Sequence, residues 1–284
     1  MAAHQGRAAD ERSVVRARRQ GARPVKRPAM KPLAELRAAG LRGLLFDIDD
    51  TLTTDGRLTA PAYAALEKLK HAGKILVPVT GRPAGWCDHI ARMWPVDAVV
   101  GENGAFYFYH HEGKLHRRYH DEPQVREKNR FLLKVISEKI LSAVPGTALA
   151  SDQPYRETDL AIDYCEDVPP LGIEQAERIA ALMRDAGLTA KVSSIHVNGW
   201  FGGYDKLAMA QRLFAERFNL ESARVRREFA FVGDSPNDEP MFGFFENSVG
   251  VANVRRFALA SPPRYVTSEK AGLGFEELAL HLSR

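Results

Sequence analysis

The chain has 284 residues, of which 45% are hydrophobic and 27% are charged, and its formal net charge is +4. This balance is typical of a globular protein that is large enough for two structural units. No apolar run approaches the length of a membrane span, and no signal-peptide core is visible. Two distant cysteines, Cys87 and Cys165, exclude a disulfide framework and indicate a reducing compartment. We therefore predict a cytoplasmic protein that does not bind membranes.

The positive charge is concentrated in residues 1–31. This segment holds nine basic and two acidic residues, so it carries +7 and the rest of the chain carries −3. Because it contains almost no large apolar residues, we predict a disordered basic tail that touches nucleic acid or anionic lipid only weakly and without specificity. Two alternatives stay open. The segment could lie upstream of a true start at Met30, or it could be an organellar transit peptide, although its two acids argue against an amphipathic helix.

Patterns of strand and helix alternate after the tail, as a doubly wound parallel sheet requires. Residues 32–103 form the first part of this predicted Rossmann-like α/β core. Its predicted elements are a strand at 44–46, a helix from Thr59 to Gly73, a strand at 75–79, a helix at 86–93 and a strand at 96–100. Pro61 in the first turn and Gly73 at the end support the first of these helices.

The character of the chain changes between residues 104 and 200, where we predict an inserted α+β cap domain. The predicted elements are a hairpin with aromatic alternation at 105–119, a helix at 124–143, a strand at 160–164, a helix at 173–186, and strands at 190–193 and 195–200. Residues 201–284 then return to the core, with an apolar strand at 229–232. We expect the cap to lie over one edge of the core sheet.

Two carboxylates, Asp47 and Asp49, follow the first apolar strand and are separated by Ile48. Alternation along an extended chain points both carboxylates to the same side. Like charges at close range repel, so such a pair is most easily kept where a cation lies between them or where one of them reacts. A strand end followed by a polar turn is the alternative, and a lone pair of this kind would favour it.

A second acidic loop, residues 233–238, follows the strand at 229–232 and carries Asp234 and Asp238. Open α/β sheets place their sites beyond the carboxyl ends of the strands, so Asp47, Asp49 and Asp234 are predicted to converge. Hard oxygen ligands without a nearby cysteine or histidine favour Mg²⁺ over zinc or copper. The sequence thus predicts a magnesium site at this edge of the sheet.

Two further elements fit the same edge. The strand at 75–79 ends in Thr80, Gly81 and Arg82, which offer a hydroxyl and loop amides, and Lys206 stands near the start of a predicted helix. This combination of groups is typical of phosphoryl transfer to a carboxylate, which uses a carboxylate nucleophile, a metal, a hydroxyl and a lysine. A lysine considered alone is more often an ordinary solvated side chain. The position of Lys206 between the cap and the last acidic loop favours the functional interpretation.

On these residues the chain resembles the haloacid dehalogenase superfamily of phosphohydrolases. Four signature motifs occur in order, at residues 47–51, Thr80, Lys206 and residues 233–238. The insert between the second and third motifs is similar to that of subclass IIB, the Cof-like and sucrose-phosphatase-like enzymes. The resemblance covers residues 40–284. It departs from the family pattern at Asp50, where many relatives carry glycine.

The resemblance implies a role for each motif residue. Asp47 would attack phosphorus and form an aspartyl phosphate, and Asp49 would protonate the leaving group and later deprotonate the attacking water. The backbone carbonyl of Asp49 would reach the metal. Thr80 and the Gly81 amide would hold phosphoryl oxygens, and Lys206 would offset the negative charge.

The remaining motif residues complete the site implied by the resemblance. Asp234 would be a further metal ligand, with Asn237 and Asp238 orienting the metal or Lys206. Arg82 could reach a substrate group, or it could form a salt bridge within the core. The predicted metal ligands are Asp47, Asp49, Asp234 and Asp238, and the predicted phosphate- or substrate-binding residues are Thr80, Gly81, Arg82, Lys206 and Asn237.

The implied function is Mg²⁺-dependent hydrolysis of a phosphomonoester, with a sugar phosphate or a similar small phosphorylated metabolite as substrate. Glu102 and Asn103, at a strand end, are predicted to face the cleft and bind hydroxyls. Three alternatives remain. A phosphomutase of the same subclass would use Asp47 similarly, and a dehalogenase would not need a metal. A non-catalytic binding module would keep the fold and use the basic tail for nucleic acid.

Overall fold

The computed structural model of the protein describes residues 29–193 and 195–283. The strands are β1 (Lys31–Pro32), β2 (Gly43–Phe46), β3 (Ile75–Pro78), β4 (Val99–Gly101), β5 (Phe106–His111), β6 (Lys114–Tyr119), β7 (Ala148–Leu149), β8 (Asp159–Asp163), β9 (Thr189–Val192), β10 (His196–Trp200), β11 (Phe229–Gly233), β12 (Asn247–Gly250) and β13 (Tyr265–Val266). The helices are α1 (Ala60–His71), α2 (Ala84–Met93), α3 (Pro123–Ala143), α4 (Ile173–Asp185), α5 (Lys206–Phe218), α6 (Ser222–Glu228), α7 (Glu239–Phe244) and α8 (Ala271–Leu282).

A sheet of six parallel strands forms the core, in the order β1-β13-β12-β11-β2-β3. Helices cover both of its faces. Along β2, Leu44 and Phe46 pack on one face with residues of α1 and α8, whereas Leu45 packs on the other face with residues of α5. A strand buried on both faces is apolar throughout, which explains the uninterrupted apolar run at 44–46. The predicted α/β class with a parallel central sheet is confirmed.

A second unit is built on an antiparallel sheet of four strands, in the order β7-β8-β10-β9. Ile162 of β8 and Val197 of β10 lie in one hydrophobic cluster with residues of α3 and α4. Because side chains alternate along a strand, His196 and Asn198 of β10 point to the opposite face of this sheet. That polar face is directed at the carboxyl ends of the core strands, where both residues line a cavity with core side chains. This unit lies in the part of the chain predicted to form the α+β cap, and we call it the cap.

The aromatic hairpin of β5 and β6 pairs with β4 and does not join the cap sheet. Phe106 and Phe108 pack with Cys87 and Ile90 of α2. The predicted cap boundary at residue 104 therefore differs from the observed pairing, which groups the hairpin with the core. Alternating aromatic residues predict a hairpin, but they do not indicate which other strand the hairpin pairs with.

Only the last residues of the predicted tail can be compared with the structure, since residues 1–28 lie outside the described residues. Lys31 and Pro32 pair with Tyr265 and Val266 at the edge of the core sheet, and Met30 packs against the core. The predicted tail boundary at residue 31 therefore differs from the structure, in which Met30 packs on the core and Lys31 pairs with Tyr265. No helix in residues 29–193 and 195–283 has the length and apolarity to cross a membrane.

Candidate active site

Asp47 lies immediately after β2, and the sheet fixes its position. Its backbone N–H donates to the carbonyl of Val232 at 2.9 Å, which extends the pairing of β2 with β11 by one residue. The chain then turns sharply, with the backbone N–H groups of Leu52 and Thr53 both donating to the carbonyl of Ile48. Asp47 is thereby held on a rigid element at the carboxyl end of the sheet, and only 5% of its surface is exposed.

Lys206 is the first residue of α5, and its ammonium group lies between two buried carboxylates. Its Nζ is 2.8 Å from Oδ1 of Asp47 and 2.8 Å from Oδ1 of Asp238. Asp205 caps the helix, since its side chain accepts a hydrogen bond from the backbone of Ala208 at 2.7 Å. The structure therefore excludes the solvated-lysine interpretation.

The two acids and the lysine define the charge of the site. Burial alone would lower the pKa of Lys206, but Asp238 and Asp47 raise it above its ordinary value. Burial raises the pKa of Asp47, and the charge of Lys206 opposes that rise. Lys206 is accordingly a fixed positive charge within hydrogen-bond distance of the predicted nucleophile.

Asp47, Asp234 and Asp238 form a buried acidic cluster. One carboxylate oxygen from each lies within 4.8 Å of the others, and this is the one such group of metal-binding side chains found in residues 29–193 and 195–283. Burial, with Asp238 and Asp50 nearby, raises the pKa of Asp234 to about 7. Three converging oxygen donors that repel one another are well suited to Mg²⁺, which prefers carboxylate oxygens.

Gly233 makes room for part of this cluster. A side chain at this position would place Cβ 2.3 Å from Oδ2 of Asp238. That oxygen instead accepts a hydrogen bond from the backbone of Asp234 at 3.1 Å. Asp238 thus uses one oxygen to hold Lys206 and the other to fix the loop that carries Asp234.

Asp49 does not join the acidic cluster, so the predicted convergence of Asp47, Asp49 and Asp234 is only partly right. Its carboxylate forms a two-point ion pair with Arg82, at 2.8 Å to Nη2 and 3.0 Å to Nε. The turn after Asp47 breaks the strict alternation from which the convergence was inferred. Arg82 is therefore in the salt bridge that the sequence left as an alternative, and its guanidinium also lies 3.7 Å from Asp152 of the cap.

Thr80 and Gly81 follow β3, and Gly81 lines the same cavity as Asp47 and Asp234. The fully buried Thr80 accepts a hydrogen bond at Oγ1 from the backbone of Arg82 at 3.0 Å. The backbone of Asn103 donates to the carbonyl of Thr80 at 3.1 Å. A side chain at Gly81 would place Cβ 3.2 Å from Oδ1 of Asn103, so the glycine allows this close approach.

A cavity of about 40 Å³ lies between the core and the cap at these residues. Core and cap both line it, and the residues are Asp47, Asp49, Gly81, Arg82, Asn103, Arg156, Ser193, Ile195, His196, Asn198, Asp234, Ser235 and Asn237. This volume holds a few water molecules. Core and cap side chains are therefore in contact around this cavity, an arrangement that we call closed.

The cap side of the cavity contains residues that sequence reasoning missed. His196 lies with Nε2 2.8 Å from Oε2 of Glu166, and Asn198 donates to Oδ2 of Asp159 at 3.0 Å. Burial and the charge of Arg156 lower the pKa of His196 to about 4, so the ring is neutral at neutral pH. The strand was predicted, and the polar residues that flank Val197 could have shown which face meets the site.

Glu102 occupies a different place from the one predicted. Its carboxylate is buried and accepts hydrogen bonds from the backbone of Ala84, Glu157 and Thr158. It therefore joins the core to the cap and is not available to bind a substrate hydroxyl. Asn103 does line the cavity, as the sequence predicted.

Comparisons with known proteins agree with this geometry. The sequence profile of haloacid dehalogenase-like hydrolases matches residues 44–144, and no curated protein matches the chain. A Thermoplasma acidophilum protein of known structure is 18% identical, with a TM-score of 0.65 over 85% of this chain and 98% of that one. The C-terminal domain of C. albicans trehalose-6-phosphate phosphatase is 16% identical, with a TM-score of 0.65 over 90% of this chain and 99% of that one.

A third similar structure is the sucrose-phosphatase from Synechocystis in complex with sucrose and phosphate. It is 16% identical, with a TM-score of 0.56 over 85% of this chain and 98% of that one. At these identities the structures show a shared fold. The matching profile confirms, over residues 44–144, the predicted resemblance to the haloacid dehalogenase superfamily.

Proposed function

We propose that the protein is a Mg²⁺-dependent phosphomonoester hydrolase of the cytoplasm that works through an aspartyl-phosphate intermediate. The observation that carries this proposal is the contact of Lys206 with both Asp47 and Asp238, beside Asp234 at the end of the core sheet. The main difficulty of the reaction is the repulsion between an attacking anion and a phosphate dianion. The positive charge of a buried lysine next to the carboxylate nucleophile offsets this repulsion.

Asp47 is the proposed nucleophile. One of its carboxylate oxygens forms a bond to phosphorus, and the bond from phosphorus to the leaving oxygen breaks. Water then attacks the same phosphorus, the bond to Asp47 breaks, and inorganic phosphate leaves. Two easier displacements replace one difficult displacement, and Asp47 returns to its starting state.

Asp49 is the proposed acid and base. It gives its proton to the leaving oxygen in the first step and takes a proton from water in the second. In the closed structure Arg82 holds the Asp49 carboxylate at two points. Arg82 must therefore release this carboxylate when the substrate binds, so that Asp49 can carry a proton.

The other predicted residues have supporting roles in the proposal. Asp47, Asp234 and Asp238, with the backbone carbonyl of Asp49, are the groups that would hold Mg²⁺, which would neutralise charge on the phosphoryl group. Thr80 and Gly81 are proposed to hold phosphoryl oxygens. Asn237 lines the cavity and is fixed by a hydrogen bond from Ser235 at 2.7 Å.

The substrate is proposed to be a sugar phosphate or another small phosphorylated metabolite. The cavity is lined mostly by charged and polar side chains, which suits a compact polar molecule. Two of the similar structures are phosphatases named for trehalose-6-phosphate and sucrose phosphate chemistry, which supports the same substrate class. The division into a core and an inserted cap is part of the proposal, with the cap closing over the leaving group.

The test is phosphate release from p-nitrophenyl phosphate and from a panel of sugar phosphates. We expect release with Mg²⁺ and none after addition of EDTA, with activity restored by excess Mg²⁺. Slow net release together with a need for an activating bisphosphate would identify a phosphomutase instead. No release from any compound, by protein shown to be folded, would contradict the proposed function.

A further inference from the structure

Arg156 belongs to the cap, but one of its hydrogen bonds crosses into the core. Its guanidinium forms a two-point ion pair with Asp152, at 3.0 Å for both contacts, and another ion pair with Asp159 at 3.0 Å. The Nη1 group of Arg156 that contacts Asp159 also donates to the backbone carbonyl of Gly81 at 3.0 Å. Only 2% of the Arg156 side chain is exposed, so these contacts determine where it lies.

The Gly81 carbonyl is part of the peptide that orients Thr80. A peptide is planar, so the C=O of Gly81 and the N–H of Arg82 point in opposite directions and move together. That N–H donates to Oγ1 of Thr80 at 3.0 Å. Because Oγ1 already accepts this bond, and no group among the described residues takes the hydroxyl proton, that proton is left for the phosphoryl oxygen that the proposed function assigns to Thr80.

Hydrogen bonds of the residues next to Arg156 hold this part of the cap against the core. Glu102 accepts hydrogen bonds from the backbone of Glu157, Thr158 and Asp159, at 2.9, 2.7 and 3.2 Å. The same carboxylate accepts from the backbone of Ala84 at 2.9 Å. The cap segment that carries Arg156 is therefore docked on the loop that follows β4, next to Gly81.

We infer that Arg156 is a positioning residue that completes the phosphate-binding loop when the cap closes. It holds the peptide between Gly81 and Arg82, and through that peptide it sets the direction of the Thr80 hydroxyl. The inference rests on the proposed function for the identity of the bound group, which is phosphate. A cap residue would then control the affinity of the core for phosphate through the peptide between Gly81 and Arg82.

The test is the binding of inorganic phosphate in the presence of Mg²⁺, measured by calorimetry on the full chain. Arg156→Lys keeps a positive charge beside Asp152 and Asp159, but a single ammonium cannot contact both acids and the Gly81 carbonyl at once. Loss of one such hydrogen bond should weaken phosphate binding about tenfold. Arg156→Met should weaken it at least as much, and if that variant does not fold, Arg156→Lys carries the test.

Arg126→Lys is the matched control. Arg126 is also a cap arginine at the junction, where it contacts Glu157 at 3.1 Å and lies 3.6 Å above the ring of Tyr119. It does not contact the phosphate-binding loop, so its replacement should leave phosphate binding unchanged. An equal loss in both variants would show a general effect of the junction and overturn the inference.

A double-mutant cycle with Thr80→Ala separates positioning from packing. If Arg156 acts through the Thr80 hydroxyl, Arg156→Lys should add little to the loss caused by Thr80→Ala. Fully additive losses, or unchanged phosphate affinity in folded Arg156→Lys, would overturn the inference. Because binding is measured directly, these outcomes are distinct from failure of the parent to hydrolyse phosphomonoesters, which would contradict the proposed function alone.

Discussion

The core half and the cap half of the site are built in different ways. In the core, Asp47 follows a strand, Lys206 begins a helix, and Asp238 lies in a loop and contacts Lys206 from the other side. In the cap, Arg156 and His196 reach the cavity through side chains that pair with other side chains. The core half is thus preorganised for chemistry, whereas the cap half depends on closure.

Asp47→Asn should give the largest loss and test the core half most directly. An amide cannot form the covalent intermediate, so turnover should fall by about 10⁴-fold. The measurement is the steady-state release of phosphate from p-nitrophenyl phosphate. Asp50→Asn is the matched control, since Asp50 lies in the same turn with a φ of 57° that asparagine tolerates. Similar losses in the two variants would refute the assignment of the nucleophile.

Lys206→Met should affect both chemistry and stability. Turnover should fall by about 10²- to 10³-fold, as expected when a preorganised charge is removed. The free energy of unfolding should also fall by about 3 kcal/mol, because Asp47 and Asp238 stay buried without their cation. Chemical denaturation checks the second effect. Lys139→Met, an exposed substitution on α3, is the control and should change neither quantity.

Glu102→Gln tests the junction between the two halves through its pH dependence. Burial raises the pKa of Glu102 from 4.5 to about 7. As pH rises from 4.5 to 7, the unfolded chain loses this proton while the folded chain keeps it, so the contribution of Glu102 to stability falls by about 3 kcal/mol. The free energy of unfolding of the parent minus that of the variant should therefore decrease across this range and level off above it. A difference that is constant with pH would contradict the prediction.

Deleting residues 1–28 should have the smallest effect, because all of the predicted site residues lie after them in the sequence. We expect turnover within about twofold of the parent. Deletion of residues 1–32 is the comparison, since it removes Met30 and β1 from the core and should lower the melting temperature. A large loss of turnover in the shorter deletion would show that the tail contributes to the site.

The sequence was most informative about the core half. Asp47, Lys206 and Asp234 were predicted because each sits next to a strand or helix end, where local pattern determines position. Arg156 and Glu102 were not predicted to link the units, because their contacts join segments more than fifty residues apart and no periodic pattern marks them. A salt bridge within the core was left as one of two alternatives for Arg82, and its partner Asp49 was not predicted, because the turn after Asp47 determines where Asp49 points.

The volume of the closed cavity sets a condition on the catalytic cycle. If the proposed sugar phosphate occupies this space, the cap has to lift away from the core for it to enter and again for the product to leave. Lifting the cap separates the Arg156 guanidinium from Gly81 and the Glu102 carboxylate from three amides. In the proposed reaction, the rate of this separation, and not the formation of a bond to phosphorus, would then limit turnover.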